Sequence, residues 1–380
     1  MLYLALLPVL IWLYLMLARG GFWRVGRLLS TDAAVPGAAD RVVAVIPARN
    51  EASVVGLAVQ SLLAQHYAGE LHIVVVDDAS SDGTADVVGA VAAQAGAVER
   101  VTVLRGSGPE PGWSGKVCAM ARGVATAALR QPDYLLFTDA DIHHEPDHVA
   151  RLVANAQRLD ADLLSFMVQL TVSNAAERWL IPAFVFFFLK LYPPAWIARR
   201  GAATAGAAGG CMLVRPAALE RSGGLEAIHS QIIDDCALAR SIKRAGGRVC
   251  LGLTRRARSL RPYGSVAEIG RMISRTAFNQ LGHSWLLLLG TLVGLVATYL
   301  LPPVLLFSGS PTGIVGGACA WALMSLCYRP MVRFYGLNAW WALTLPAAAA
   351  YYAGATVYSA WQYQIGRGGQ WKGRAQDSQG

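Results

Sequence analysis

Three uncharged stretches near the C-terminus limit what this chain can fold into. They are residues 285–307, 311–328 and 338–365; each contains Trp or Tyr, and short linkers separate them. A helix needs about 20 mainly apolar residues to cross a bilayer. Because 54% of the chain is hydrophobic and only 15% is charged, a purely soluble protein is disfavoured. Residues 284–365 therefore predict two or three C-terminal membrane helices.

The N-terminus carries another apolar run, residues 2–17, followed by Arg19, Arg24 and Arg27. No basic residue precedes the run and no small-residue cleavage site ends it, which disfavours a cleaved signal peptide. By the positive-inside rule, residues 1–20 predict an anchor that leaves the next domain in the cytoplasm. Three C-terminal spans would put the basic tail, residues 366–380, on the other side. The number and orientation of the spans therefore stay open.

A further apolar segment, residues 179–200, is interrupted by Pro182, Lys190 and the pair Pro193-Pro194. Prolines inside a helix disfavour a straight span. We expect an interfacial element lying on the bilayer, with a core helix of the soluble domain as the alternative.

The formal net charge of +9 is compatible with nucleic acid, anionic lipid or a phosphorylated substrate. No aromatic-rich basic array typical of RNA binding occurs, so we expect no nucleic-acid partner. Basic residues concentrate between positions 243 and 275, just before the apolar stretches, which favours lipid headgroups and a substrate diphosphate. The six cysteines are scattered without a CxxC pair; we expect reduced thiols, as in a cytosolic compartment.

Between residues 40 and 172, short β-rich runs alternate with longer helical ones. Predicted strands are 41–47, 71–78, 98–104 and 133–141, and residues 51–67 are the first predicted helix. This alternation predicts an α/β domain with a doubly wound, mostly parallel, Rossmann-like sheet. Polar clusters follow three of the strands, at 47–51, 77–84 and 138–141. Ligands of such sheets bind at the carboxyl ends of the strands.

The cluster after the fourth strand contains Asp139 and Asp141. Residues two apart on an extended chain share a side, and two close carboxylates repel unless a cation lies between them. The pair predicts a divalent ion, Mg²⁺ or Mn²⁺, shared with substrate phosphates. His143 could add a nitrogen ligand, which suits Mn²⁺ better. The alternative is an aspartate that only caps a helix.

Four other residues are candidates for the site. Asp78 could accept hydrogen bonds from a nucleobase or ribose, or lie in a capped turn. Lys116, in a glycine-flanked loop, could bind a phosphate or be a solvated lysine at a helix start. Asp235, beside Asp234, could be a general base or a helix cap. Arg275 lies within a predicted amphipathic helix, 265–278, and could contact the substrate.

Five motifs in this order resemble the membrane-bound family 2 glycosyltransferases of the GT-A fold. They are "VIPARNE", "VVVDDASSDGT", "GWSGKVCA", "FTDADI" and "IIDDCALARSIKRAGG", spread over residues 40–280. The segments "RTAFNQL" and "WKGR" are most similar to the bacterial hopene-associated glycosyltransferases. The resemblance implies a GT-A catalytic domain over residues 40–283, with transmembrane helices at both termini, in a bacterial inner membrane.

The resemblance also implies an inverting transfer from a nucleotide-diphosphate sugar, for which we expect a UDP-sugar, to a lipid acceptor. The implied roles are Pro47 and Glu51 lining the nucleotide pocket, Asp78 on the nucleobase, Asp139 and Asp141 on metal and diphosphate, and Asp235 as the base.

Two departures from the family pattern matter. Asp234-Asp235 stands where Glu-Asp is usual, and residues 272–276, "MISRT", place Thr276 where the QxxRW signature has tryptophan. The second departure favours addition of a single sugar, possible acceptors including a hopanoid, over a processive polysaccharide synthase. A nucleotide-binding membrane scaffold without transferase activity is the alternative outside the enzymes.

Overall fold

The computed structural model describes residues 1–28 and 40–366, and the backbone of two short strands beyond them. Most of the predicted basic tail, residues 366–380, lies outside the described residues. The strands are β1 Val42–Ala48, β2 Leu71–Asp78, β3 Val101–Gly106, β4 Tyr134–Thr138, β5 Ile142–His144, β6 Leu163–Gln169, β7 Cys211–Val214, β8 Val249–Ser259, β9 Gln370–Trp371 and β10 Arg374–Ala375.

The helices are numbered in chain order. They are α1 Leu2–Leu17, α2 Val55–Leu63, α3 Thr84–Gln94, α4 Gly115–Ala128, α5 His148–Arg158, α6 Ala175–Leu191, α7 Pro194–Ile197, α8 Pro216–Arg221, α9 Asp234–Arg244, α10 Val266–Ser274, α11 Ala277–Gln280, α12 Trp285–Leu295, α13 Leu301–Leu305, α14 Pro311–Phe334 and α15 Leu345–Gln364. A π-helical segment, Val296–Leu300, joins α12 to α13.

The chain forms two compact units. The helical unit comprises Met1–Arg27, Val172–Ala195 and Pro262–Gln370; the sheet unit comprises Leu28–Thr171, Trp196–Arg261 and Trp371–Gly380. The domain boundaries implied by the sequence, 40–283 and 284–365, stay a prediction.

The sheet unit contains an eight-stranded sheet in the order β3-β2-β1-β4-β7-β6-β8-β5. Four of its seven neighbouring pairs are parallel: β1 with β2, β1 with β4, β2 with β3, and β6 with β8. Every residue of β1 and β2 is buried, as expected of parallel strands covered on both faces. The predicted α/β class with a mostly parallel sheet is confirmed.

The topology determines which loops meet at one edge. Parallel β1, β2 and β4 all end on the same side. The neighbouring strand β7 is antiparallel to β4, and Cys211 at its start pairs with Thr138 at the end of β4. The glycines that precede β7 therefore lie beside the residues that follow β4.

Aromatic contacts and close helix approaches hold the helical unit together. Trp12 Nε1 of α1 donates to the Thr298 carbonyl at 2.8 Å. A Cβ on Gly316 of α14 would stand 2.8 Å from the Ala5 carbonyl oxygen of α1. A glycine at this point lets the two helices touch, as small residues do between membrane helices.

Within the described residues, three helices are long and apolar enough to cross a membrane. They are Ala175–Ile197, Trp285–Leu305 and Pro311–Phe334. α1 is apolar but shorter, and α15 is not in this group. The apolar segment expected at the interface therefore has the length of a span. Pro182 lies inside α6 without ending it.

Candidate active site

Asp139 and Asp141 follow β4 at the edge where the parallel strands end. Thr138 Oγ1 donates to the Gly210 carbonyl at 2.9 Å, which ties β4 to the loop before β7. The chain then turns sharply, with Ile142 N donating to the Asp139 carbonyl at 3.2 Å, and enters β5. Asp139 and Asp141 therefore lie in the turn between β4 and β5, at the carboxyl end of β4.

Lys116 lies among the carboxylates of the site. Its Nζ is 2.9 Å from Asp139 Oδ1 and 3.3 Å from Asp234 Oδ2, and its side chain is only 18% exposed. Burial alone would lower the pKa of Lys116, but the carboxylates of Asp139, Asp234 and Asp235 outweigh it and raise that pKa. A permanently charged ammonium therefore connects the residues after β4 to the start of α9.

Asp235 lies in the first turn of α9. Its Oδ2 accepts a hydrogen bond from Gly209 N at 2.9 Å, and its Oδ1 accepts one from Cys236 N at 2.7 Å. Burial, and then the neighbouring Asp234, raise the pKa of Asp235 to about 6, while Lys116 opposes the shift. A carboxylate with a raised pKa, still ionised near neutrality, is suited to accept a proton.

Gly209 allows this arrangement because it has no side chain. A Cβ there would stand 3.2 Å from Lys116 Nζ and 3.4 Å from Asp235 Oδ2. The backbone amide can therefore approach the carboxylate directly. A glycine before a short strand carries no sequence signal for such a role, and the contact becomes evident only from the pairing of β4 with β7.

Arg261, the last residue of the segment Trp196–Arg261 of the sheet unit, forms ion pairs with two acidic side chains. It forms an ion pair with Glu51, and its Nε lies 3.5 Å from Asp141 Oδ2. Ser259 Oγ donates to the same Asp141 oxygen at 3.3 Å. Burial and then Asp139 nonetheless raise the pKa of Asp141 to about 6. The sequence showed Arg261 only as one of the basic residues between positions 243 and 275, and it gave no sign of the contacts with Glu51 and Asp141.

The donor chemistry of Asp139 and Asp141 fits a divalent ion that also binds phosphate oxygens. Hard carboxylate oxygens suit Mg²⁺ and Mn²⁺, and a nearby cation would relieve the repulsion that raises the pKa of Asp141. In the part of the chain that the structure describes, no three His, Cys, Asp or Glu side chains are grouped to hold an ion. The protein would thus supply these two carboxylates as ligands of the ion, and the substrate phosphates would supply further ligands.

His143 is not brought into that group. It pairs with Arg258 across β5 and β8, and burial and then Arg258 lower its pKa. Its expected role as a third metal ligand therefore has no support in the geometry. The reason is that β5 is a strand of the sheet, so His143 follows its register instead of the turn at Asp139.

The expected nucleotide-binding residues lie at the ends of β1 and β2. Pro47 is buried inside β1 and pairs with Val76 of β2; it lies two residues past Val45, which forms the last pair of β1 with β4. Its missing N–H therefore breaks no bond to β4. Asp78 ends β2 and is 1% exposed, and Arg49 Nη1 donates to its carbonyl at 2.6 Å.

The loops after β1 and β2 interlock. Asn50 and Ala79 both have left-handed backbones, with φ of 52°. Asn50 N donates to Ser80 Oγ at 2.9 Å, and Ala52 N donates to Asp82 Oδ2 at 3.0 Å. Asp82 Oδ1 also accepts from Thr84 N at 3.1 Å, so the capped turn expected before α3 is present. The two loops are thus held as one surface beside Asp78.

Arg275, the remaining candidate, follows α10 in the helical unit and is exposed. Its contact with the substrate stays a prediction, as do the substrate contacts of Pro47, Glu51, Asp78 and Lys116.

Comparison with known proteins decides the class of this site. A family model described as glycosyltransferase-like family 2 matches residues 39–276. The chain belongs to the glycosyltransferase-like family 2. The match covers the sheet, the carboxylate cluster and both aspartate pairs, so the glycosyltransferase expected from the motifs is confirmed at this level. None of the curated proteins is a significant match to the sequence.

Solved glycosyltransferases have a similar fold. The mannosyltransferase PcManGT from Pyrobaculum calidifontis, solved with GDP-Man and Mn²⁺, is 20% identical, with a TM-score of 0.57 over 94% of this chain and 99% of its own. S. aureus TarS 1–349 with UDP-GlcNAc is 13% identical, with a TM-score of 0.40 over 88% of this chain and 95% of its own. The first likeness shows the fold; the second is too distant to carry an argument.

Proposed function

We propose that this glycosyltransferase inverts the anomeric carbon while it transfers one sugar from a nucleotide-diphosphate donor to a hydroxyl of a membrane lipid. The observation that carries the proposal is Lys116, which joins Asp139 at the end of β4 to Asp234 beside Asp235. It brings the expected diphosphate side and the expected base side of the reaction into one ion-paired cluster.

Asp235 acts as the base in this proposal. The lipid oxygen forms a bond to the anomeric carbon, its proton passes to Asp235, and the bond from that carbon to the diphosphate oxygen breaks. The two backbone amides that bind Asp235 keep its oxygens in place. A general base of this kind accelerates a reaction by about 10²–10⁴-fold.

The leaving diphosphate gains negative charge as the bond breaks. Lys116 and Arg261 are cations held within the cluster, and fixed charge at a leaving group stabilises the transition state. A divalent ion bound by Asp139 and Asp141 would supply further positive charge there. The loops beside Asp78 and Pro47 would receive the nucleotide, for which we favour UDP.

The lipid acceptor is proposed from the apolar helices and the motif resemblance. Three helices have the length and composition of membrane spans, so a site next to a bacterial inner membrane, facing the cytoplasm, would meet lipid hydroxyls. A hopanoid is the acceptor class that the resemblance favours.

The test is sugar transfer by the purified full chain in detergent, with UDP-glucose, UDP-N-acetylglucosamine and GDP-mannose as donors and extracted bacterial lipids as acceptor. We expect metal-dependent labelling of a lipid by a single sugar, lost in Asp235→Asn and Asp141→Asn. Asp86→Asn is the matched control, because that carboxylate lies on α3 with its side chain 74% exposed.

Three outcomes would contradict the proposal. Labelling that survives both substitutions would reject the site, and long polymeric products would indicate a polysaccharide synthase. Donor binding by the folded protein without turnover on any acceptor would indicate a binding protein.

A further inference from the structure

The helical unit contains an open groove between α10 and α15. Its volume is about 530 Å³, within the usual range of ligand pockets, about 300–1,000 Å³. Glycine and alanine supply most of its walls, with Arg271, Tyr351 and Tyr358 as the larger side chains.

Two glycines have opposite roles in this groove. A Cβ on Gly270 would collide with Tyr351 Oη, whose hydroxyl donates to the Val266 carbonyl at 2.6 Å and so fastens α15 to α10. A Cβ on Gly354 would meet no atom within 4 Å. Gly270 therefore allows the helices to touch, whereas Gly354 leaves the space between them open.

The groove has an apolar floor and one charged side chain. The side chain of Arg271 is 66% exposed, and its ion pair with Glu268 is long, at 3.9 Å, so it contributes little and can be exchanged. No acidic residue lines the groove. The charge available to an occupant is therefore positive.

Exposed aromatic side chains border the groove along α15. Tyr358 is 47% exposed and Trp361 52% exposed, and their ring centroids are 5.6 Å apart. Tyr and Trp with a nearby arginine are typical of the headgroup level of a bilayer. Basic pockets among apolar helices bind anionic headgroups in the same way.

We infer that this groove binds one phospholipid with an anionic headgroup. The phosphate contacts Arg271, and an acyl chain lies along the small residues at Ala350 and Gly354. The inference rests on the membrane association within the proposed function. The bound lipid is separate from the sugar acceptor.

Binding can be measured by native mass spectrometry on delipidated full chain, titrated with phosphatidylglycerol or phosphatidylcholine of the same chains. Gly354→Leu fills the groove, and its control is Gly290→Leu on α12, where a Cβ also meets nothing within 4 Å. Arg271→Gln removes the charge, and its control is Arg333→Gln, an exposed arginine in the last turn of α14.

We expect the first molecule of phosphatidylglycerol to bind more tightly than phosphatidylcholine. Arg271→Gln should weaken phosphatidylglycerol binding about fivefold, as expected for one basic residue near a headgroup, and weaken phosphatidylcholine binding less, because choline compensates the charge of its phosphate. Gly354→Leu should weaken both lipids, while both controls should behave as wild type. Glycerol phosphate, which lacks acyl chains, should not compete.

Equal affinity for the two lipids would overturn the charge assignment, and Gly354→Leu binding like wild type would overturn the groove. Competition by glycerol phosphate would point to a site for free phosphate instead. Flotation with vesicles separates these failures from that of the proposed function: a chain that does not associate with vesicles refutes membrane association, whereas one that associates and ignores the groove substitutions refutes the groove alone.

Discussion

Replacing Lys116 with methionine tests the electrostatic description of the site. Methionine is unbranched like lysine and fills similar space, but it carries no charge. In the wild type, Nζ of Lys116 is 2.9 Å from Asp139 and 3.3 Å from Asp234. The substitution would leave these carboxylates and Asp235 without their shared cation.

The expected cost follows from the burial of the pair. Unit charges about 4 Å apart attract by about 4 kcal/mol at an effective dielectric constant of about 20, and desolvation offsets much of this. Removing one partner of a buried pair costs about 3–5 kcal/mol. Because the Lys116 side chain keeps 18% exposure and Asp235 can take up a proton in the variant, we expect the free energy of unfolding to fall by about 3 kcal/mol at pH 8.

The loss should depend on pH in a defined direction. Lys116 lowers the pKa of Asp235 relative to a site without it. The part of the Lys116 contribution that depends on Asp235 is therefore present above that pKa, about 6, and is lost as the pH falls through it and Asp235 becomes protonated.

The assay is thermal unfolding of the full chain in detergent at pH 8 and pH 5. For cooperative unfolding of the 380-residue chain, about 3 kcal/mol corresponds to a fall in Tm of about 4 °C at pH 8, and the fall should shrink at pH 5. Lys116→Arg, which keeps the charge, should lose much less. An unchanged Tm, or an equal fall at both pH values, would refute the electrostatic reasoning.

Two further predictions concern the base. Because Asp235 must be ionised and its pKa is raised to about 6, the transfer rate should rise as the pH increases through about 6. Lys116→Met should move this rise to higher pH. A rate that stays flat from pH 5 to 8 would exclude Asp235 as the titrating base. Gly209→Ala places a Cβ 3.4 Å from Asp235 Oδ2. It should slow transfer by at least about tenfold with little change in Tm. Equal rates would mean that the loop before β7 shifts to accommodate the methyl group without displacing the carboxylate of Asp235.

The sheet and half of the site could be predicted from the sequence because they depend on local patterns. Continuous apolar runs identify β1, β2 and β4, and the rule that parallel strands end on one edge places Asp78 and Asp139 there. The role of His143 as a metal ligand stays a prediction, and nothing in the sequence shows that residues 142–144 pair with β8.

The other half depends on distant pairing. Asp235 reaches the site because the four-residue strand β7 runs antiparallel to β4 and delivers Gly209 beside the end of that strand. A strand this short has no readable period, so the sequence could suggest Asp235 as a base only through its motif. The bond that holds its carboxylate could not be anticipated.

The charges of the cluster argue for a cation that arrives with the donor. Glu51, Asp139, Asp141, Asp234 and Asp235 contribute five carboxylates, and Lys116 and Arg261 are cations that pair with them among the described residues. A diphosphate entering a site with a surplus of negative charge is repelled, so donor binding should require Mg²⁺ or Mn²⁺.

Calorimetry with UDP should give measurable binding with metal and at least about tenfold weaker binding with chelator. Asp141→Asn should weaken the dependence on metal, and Asp86→Asn should not. Equal UDP affinity with and without metal would mean that Lys116 and Arg261 alone neutralise the diphosphate.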